Sequence, residues 1–180
     1  MRKWHELGPF TIFDLETTGM SAVNDRIVEI AAVHVDFDGT HSRFHSMVNP
    51  GVRIPPRVSS IHGITDEMVS DAPHFRDVGH QFHAFAKGST LVAHNARFDL
   101  AFLQESLFRN GLPLWTGKTM DSIPLIKRAF PGLPSYSLQA LRHRFALGDG
   151  SGQAHRAGAD VEWTLEIFQM TMKSLLETHG

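Results

Sequence analysis

From Ile27 to Val35 the chain reads IVEIAAVHV, nine residues of which seven are apolar and five β-branched. A strand with so little polar surface has no face to give to water, so it predicts a sheet covered on both sides. The segments around it support this. Phe10–Glu16 reads as a strand broken by Thr17-Thr18-Gly19, and His41–Val48 as a third strand after an Asp38-Gly39 turn. Asn49-Pro50-Gly51 and Pro55-Pro56 mark a loop, and Thr65 with Asp66 and Glu67 reads as a capped helix start.

The second half alternates. Phe75–Ala86 has helical spacing and ends before Gly88, Thr90–Ala93 is a short buried strand, and Asn95 is the expected cap of a helix that stops at Asn110-Gly111. Thr119–Ile123 reads as a last strand, followed by helices over Pro124–Phe130 and Ser137–Phe145. The Gly-rich stretch from Gly148 to Gln153 is expected to be mobile. A C-terminal helix runs from Ala157 to about Glu177, with Val161, Leu165, Phe168, Met172 and Leu175 on one face. Three strands followed by alternating helices and strands predict an α/β fold, a mixed β-sheet flanked by α-helices. The 180 residues carry no repeat or linker, so 1–180 is read as one domain with no polymerase-binding tail.

Cysteine is absent, which excludes disulfide scaffolds, thiolate metal sites and cysteine nucleophiles. The N-terminus has no signal-peptide apolar run, and no stretch approaches the ~20 apolar residues of a membrane span. The default reading is therefore a soluble cytoplasmic protein. Net charge is −2, but two bound divalent ions would make it +2, so charge does not exclude a nucleic-acid partner.

Asp14 and Glu16 lie two apart on a predicted strand, so both side chains leave the same face. They sit at its C-terminal end, where open α/β sheets bind ligands. Two hard oxygen donors there suit Mg²⁺ or Mn²⁺, although a strand end with incidental acids reads the same way. Asp99, among Phe98, Leu100, Ala101, Phe102 and Leu103, costs free energy unless paired or metal-bound, although a helix-dipole acid is the plainer reading. Asp160 allows the same two readings. His155 lies five residues before Asp160, about 140° away on a regular helix, so the pair does not share a helical face. His155 belongs instead to the end of the loop. Glu29, alone in its apolar strand, is expected to satisfy a hydrogen bond near this site.

FDLETTG (13–19), AHNARFDLAFL (93–103) and HRAGAD (155–160), with HGIT at 62–65, resemble the DEDDh exonucleases, the DnaQ-like family that includes the proofreading epsilon subunit of bacterial DNA polymerase III. The resemblance runs from about Phe10 to Phe168, in the family's order and spacing. It implies a ribonuclease H-like fold and a metal-dependent 3′→5′ exonuclease that releases nucleoside 5′-monophosphates from single-stranded ends. Carried over by position, Asp14, Glu16, Asp99 and Asp160 are the metal ligands. Asp14 is expected to bridge two ions, Glu16 and Asp160 to complete one, and Asp99 to support the other. His155 matches the histidine general base, a task suited to imidazole because it exchanges protons near neutral pH. The resemblance further implies that Thr17, Thr18, Gly19 and Met20 hold the terminal nucleotide, while Ile61, His62, His94, Asn95 and Phe98 line the path of the last bases. Closure of the 148–156 loop over substrate is expected.

Phe98 offers a stacking surface or simply packs on Phe102, and Arg97, Lys118 and Arg156 contact phosphates or are solvated surface. The partners implied are single-stranded DNA or RNA 3′ ends, DNA favoured, and a DNA polymerase if the role is proofreading. RNA 3′-end trimming and a catalytically silent nucleic-acid scaffold are the competing readings. Gly111–Thr119 (GLPLWTGKT) has five residues between its glycines and precedes a strand, so it is no phosphate loop. Gln104–Phe108 resembles a sliding-clamp peptide but falls inside a helix expected to spend its apolar residues on packing. His41/His45 and His80/His83 lack a third ligand for zinc.

Overall fold

The structure is a computed structural model describing residues 2–150 and 153–178. A 3₁₀ turn over Trp4–Leu7 leads into β1 (Phe10–Thr17), β2 (Ile27–Val35) and β3 (His41–Met47). Next come α1 (Pro56–His62), α2 (Asp66–Val69), α3 (Phe75–Ala86), β4 (Thr90–Ala93), α4 (Ala96–Arg109) and β5 (Thr119–Asp121). The chain finishes with α5 (Ser122–Ala129), α6 (Leu138–Phe145) and α7 (Ala157–Thr178). The strands form one mixed sheet in the order β3-β2-β1-β4-β5. β1–β2 and β2–β3 are antiparallel, while β4 lies parallel to β1 and β5 to β4. No helix among the described residues is long and apolar enough to cross a membrane.

The pleat decides which face each side chain joins. Phe13 and Leu15 of β1 and Ile30 and Ala32 of β2 pack with Phe82, Phe102 and Leu103 from α3 and α4. Their neighbours in the strands, Phe10, Ile12, Ala31, Val33 and Val35, point the other way onto Val161, Leu165, Phe168 and Met172 of α7. The β2 run is thus buried on both faces, as its composition requires. The back of α7 is also covered: Trp163 and Ile167 join Ile126 of α5 and Leu141 of α6.

Several boundaries differ from the sequence expectation for identifiable reasons. β5 ends at Asp121 and α5 begins at Ser122, two residues before Pro124, because the Asp121 carboxylate caps it through the Ile123 N–H (3.0 Å). Asn95 does not cap α4 with its side chain; it adopts a left-handed φ of 65°. Asp121 reaches across instead and accepts the N–H groups of Asn95 (3.2 Å) and Ala96 (3.1 Å). Part of the loop expected after Asn49 is helix α1: Pro56 is tolerated in its first turn, and left-handed Gly63 (φ 75°) ends it. Within Gln104–Phe108, Leu107 is buried but Phe108 is 70% exposed, so not every apolar residue there serves packing. Of the Gly-rich loop, Ser151 and Gly152 lie outside the described residues.

One aspartate therefore serves two helix N-termini. Asp121→Ala is expected to lower stability by about 1–3 kcal/mol through lost caps and exposed backbone donors. Thermal unfolding at pH 6, with Asp121→Asn as a milder control, measures it; an unchanged melting temperature would remove the shared-cap account.

Candidate active site

Strand parity and one helix crossing assemble the acids. Asp14 and Glu16 continue the β1 face of Phe10 and Ile12, the face covered by α7, and α7 brings Asp160 in its first turn down onto them. A carboxylate oxygen from each of Asp14, Glu16 and Asp160 lies within 4.8 Å of the others. Asp99 approaches from the first turns of α4, its Oδ1 accepting the Leu15 backbone N–H (3.2 Å). It stands beside Asp14 without belonging to the tight trio.

Electrostatics record how crowded these charges are. Burial first, then the charges of Asp99, Asp160 and Glu16, push Asp14 well above the usual carboxylate range. Glu16 is raised to about 9 by burial and then by Asp160 and Glu29. Asp99 is raised to about 8 by burial, against the opposing Leu15 hydrogen bond. Burial lifts Asp160 to about 7, with the neighbouring His155 backbone N–H pulling it down. Oδ2 of Asp14 and Oδ1 of Asp160 are buried and have no hydrogen-bond partner. Unpartnered buried carboxylate oxygens are costly, and their convergence fits a hard divalent cation such as Mg²⁺ or Mn²⁺.

The turn after β1 is braced from behind. Register shifts at Glu16/Thr17, where a bulge re-aims the strand end. The Thr17 hydroxyl donates to the Gly19 carbonyl (2.6 Å), and Thr18 and Arg26 bond through backbone and side chain. A Cβ on Gly19 would collide with the Asp25 carboxylate, which is already held by the Ser21 N–H (2.9 Å). Met20 of this turn is 82% exposed, and Ile61 of α1 is 56% exposed.

His62 and His94, expected along the substrate path, are both held by hydrogen bonds through their rings. His62 is buried; its Nδ1 accepts the Ile64 N–H (3.1 Å), so Nε2 donates to the Thr17 carbonyl (3.1 Å). His94 links Ser122 (2.8 Å) and the Tyr136 carbonyl (2.7 Å). Burial lowers the pKa of both rings. Asn95 is exposed, and Phe98 is half-buried with its ring centroid 4.9 Å from that of Phe102.

His155 is exposed at φ 59°, just before α7 and beside His62, while Gln153 abuts Gly63. Arg97 is exposed. The other two basic residues weighed as phosphate contacts are placed as follows. Lys118 precedes β5, its carbonyl bonded to the Leu91 N–H, at the end of the parallel strands remote from the acids. The Arg156 guanidinium is engaged by Glu29. This Glu29–Arg156 pairing and the Asp121 double cap escaped sequence reasoning in detail; the lone acid in an apolar strand was the signal for the first.

The exonuclease family RNase_T matches residues 11–168. The chain is 42% identical over 166 residues to the DNA polymerase III subunit epsilon of Treponema pallidum (strain Nichols), covering 91% of this chain and 76% of that one. It is 36% identical over 170 residues to the DNA polymerase III PolC-type of Caldanaerobacter subterraneus, where it spans only 12% of the relative's length. Among solved structures, Exonuclease X in complex with 5′ overhanging duplex DNA superposes with a TM-score of 0.71 at 33% identity, covering 92% of each chain. E. coli Exonuclease I in complex with a dA16 oligonucleotide, at 21% identity and a TM-score of 0.73, matches 94% of this chain and 43% of that one, a likeness of fold alone. The mixed sheet and its flanking helices are thus the ribonuclease H-like fold of these neighbours. Matched along nearly its whole described length, the chain belongs to the RNase_T exonuclease family, as a DnaQ-like nuclease domain and a hydrolase.

Proposed function

We propose that this protein is a metal-dependent 3′→5′ exonuclease that removes nucleoside 5′-monophosphates from single-stranded ends, DNA favoured over RNA. The observation carrying this reading is the trio Asp14, Glu16 and Asp160, gathered within 4.8 Å with two buried oxygens unpartnered. Asp14, Glu16, Asp99 and Asp160 would hold two Mg²⁺ or Mn²⁺ ions, which when bound activate water and neutralise the departing oxygen. The chain's own groups do the rest. His155, exposed just before α7, accepts a proton from the attacking water at its imidazole. Thr17–Met20 hold the terminal nucleotide, with Met20 and Ile61 as apolar contacts and the free part of the Phe98 ring as a base platform. DNA polymerase III relatives favour DNA, a polymerase partner and a cytoplasmic setting.

The test is digestion of matched 5′-labelled single-stranded DNA and RNA oligonucleotides with Mg²⁺ or Mn²⁺, beside 3′-blocked controls. A descending ladder requiring a free 3′-OH is expected, with DNA cut faster than RNA. His155→Ala is expected to slow it about 10²–10⁴-fold with Mn²⁺ binding retained. Cleavage indifferent to a 3′ block, or undiminished in His155→Ala, would reject the reading; faster RNA digestion would move it to RNA trimming.

A further inference from the structure

One strand over from the acidic trio, Glu29 of β2 stands directly opposite Glu16 of β1. Its side chain points to the same face, toward α7, and is only 1% exposed. Like charges directly opposite on a sheet repel, and a buried carboxylate without partners is costly. Glu29 is instead fully engaged. Arg156 grips it with a two-pronged guanidinium contact (Nε to Oε1 3.3 Å, Nη2 to Oε2 3.0 Å). The Ala157 backbone N–H, at the first position of α7, donates to Oε1 (2.8 Å), and His45 of β3 approaches Oε2 (2.8 Å). Burial alone would raise the Glu29 carboxyl, yet the bonds from Arg156, His45 and Ala157 outweigh it and hold the group below the usual range. It therefore remains an anion where its neighbours struggle to be.

What this anion holds matters more than its own stability. Arg156 and Ala157 are the two residues that follow His155, which sits in the left-handed region at φ 59°. A non-glycine residue keeps such a conformation only where its surroundings hold it. Upstream, the Gly148 N–H donates to the Glu166 carboxylate of α7 (2.8 Å) and Gln153 abuts Gly63, so neither of these contacts ties the histidine to the sheet. Downstream, the Arg156 carbonyl begins α7 by accepting the Asp160 N–H (2.9 Å). The grip on Glu29 is thus a side-chain anchor between the sheet and the segment that carries the imidazole.

We propose that Glu29 is a positioning residue for His155: by clasping the Arg156 guanidinium and the Ala157 N–H, it fixes the loop end that carries His155 next to Asp160. This rests on the exonuclease reading of the site. Glu29 acts through another residue and does not itself touch the reacting atoms.

Glu29→Gln keeps the volume and can still accept the Ala157 N–H, but it gives up the charged fork to Arg156. Four proteins are compared: wild type, Glu29→Gln, His155→Ala and the double variant. The measurements are kcat and KM on a single-stranded DNA oligonucleotide with Mn²⁺, Mn²⁺ affinity by calorimetry, and hydrogen exchange of the Arg156 and Ala157 amides without metal. In Glu29→Gln, kcat should fall about 10–100-fold, while KM and Mn²⁺ affinity stay within about threefold. Exchange at Arg156 and Ala157 should accelerate about tenfold or more while the β1 and β2 amides are unaffected. In the His155→Ala background the same substitution should cost less than about twofold, because the residue it works through is gone. Arg156→Lys, altered at a partly exposed position, should show the same pattern. An equal cost of Glu29→Gln with and without His155, or unchanged exchange, overturns the proposal. An active wild type with an unaffected Glu29→Gln overturns the role of Glu29 alone, whereas a wild type without cleavage overturns the exonuclease reading and this role together.

Discussion

Asp14→Asn is expected to abolish metal-supported cleavage and, in the same protein, to raise the melting temperature of the metal-free form. The two outcomes share one cause. Asp14 is the acid on which the others converge: burial and the charges of Asp99, Asp160 and Glu16 all disfavour its ionised form, and its Oδ2 lacks any partner. An asparagine removes the repelling charge, and its amide can donate to the neighbouring carboxylates. It also removes the anionic oxygen that a cation between these acids would need. A metal site supplies several kcal/mol of transition-state stabilisation, so the rate should fall by about 10³-fold or more. Relief of repulsion should raise the melting temperature in chelator by a few degrees, at about 2–4 °C per kcal/mol for a chain of this size. Calorimetric scans with EDTA, beside Mn²⁺ titrations of the cleavage rate, separate the two effects. A variant that melts lower and cuts normally would show that Asp14 is an ordinary buried acid.

Raising the pH from 6.5 to 9 is expected to destabilise the metal-free protein, and saturating Mg²⁺ to cancel most of that loss. Asp160, Asp99 and Glu16 are raised to about 7, 8 and 9 in the folded state. A folded acid with a raised pKa binds more protons than its unfolded counterpart, so its contribution is fully present below the unfolded value and is lost as pH rises through the folded one. The loss should therefore spread across pH 6.5–9. Three groups bend the curve the other way, but only at lower pH. Glu29, held below its ordinary pKa, loses its contribution as pH falls through that depressed value. His62 and His94, lowered by burial, stabilise the fold above the ordinary histidine range and lose that as they are forced to protonate. The expected fall in melting temperature from pH 6.5 to 9 in EDTA is at least about 4 °C, flattened by Mg²⁺ and smaller in Asp14→Asn. A flat or rising profile in EDTA would mean that the acids are better solvated than their burial indicates.

How far the chain can be read without its fold differs from element to element. IVEIAAVHV predicts a strand buried on both sides, and β2 is one, because burying every residue of a segment requires nothing beyond its own composition. The α4 helix was legible to within a residue, yet its cap was not: Asn95 looks like a capping residue, but the carboxylate that serves the helix start comes from Asp121, twenty-five residues or more away. His62 and His94 enter the substrate path only through the family resemblance, whereas bonds of their rings to the Thr17 carbonyl, Ser122 and the Tyr136 carbonyl, 28–45 residues away, could not be read from the motifs. Lys118 offered only its charge in the sequence; strand direction places it at the end of the parallel strands away from the acids.

Local sequence was enough for the period-two placement of Asp14 and Glu16 on one strand face, the two-sided burial of β2, and the family through motifs of short spacing. Those are properties of neighbouring residues, governed by local backbone geometry. It took the folded chain for α7 to lay Asp160 over β1, for Asp99 to lean on the Leu15 N–H from a helix eighty-four residues onward, and for Glu29 to clasp the residues after His155 across 127 positions. Such pairings depend on which strands adjoin and which face a helix covers, and those are settled by the burial of the whole apolar core rather than by any segment's own preference.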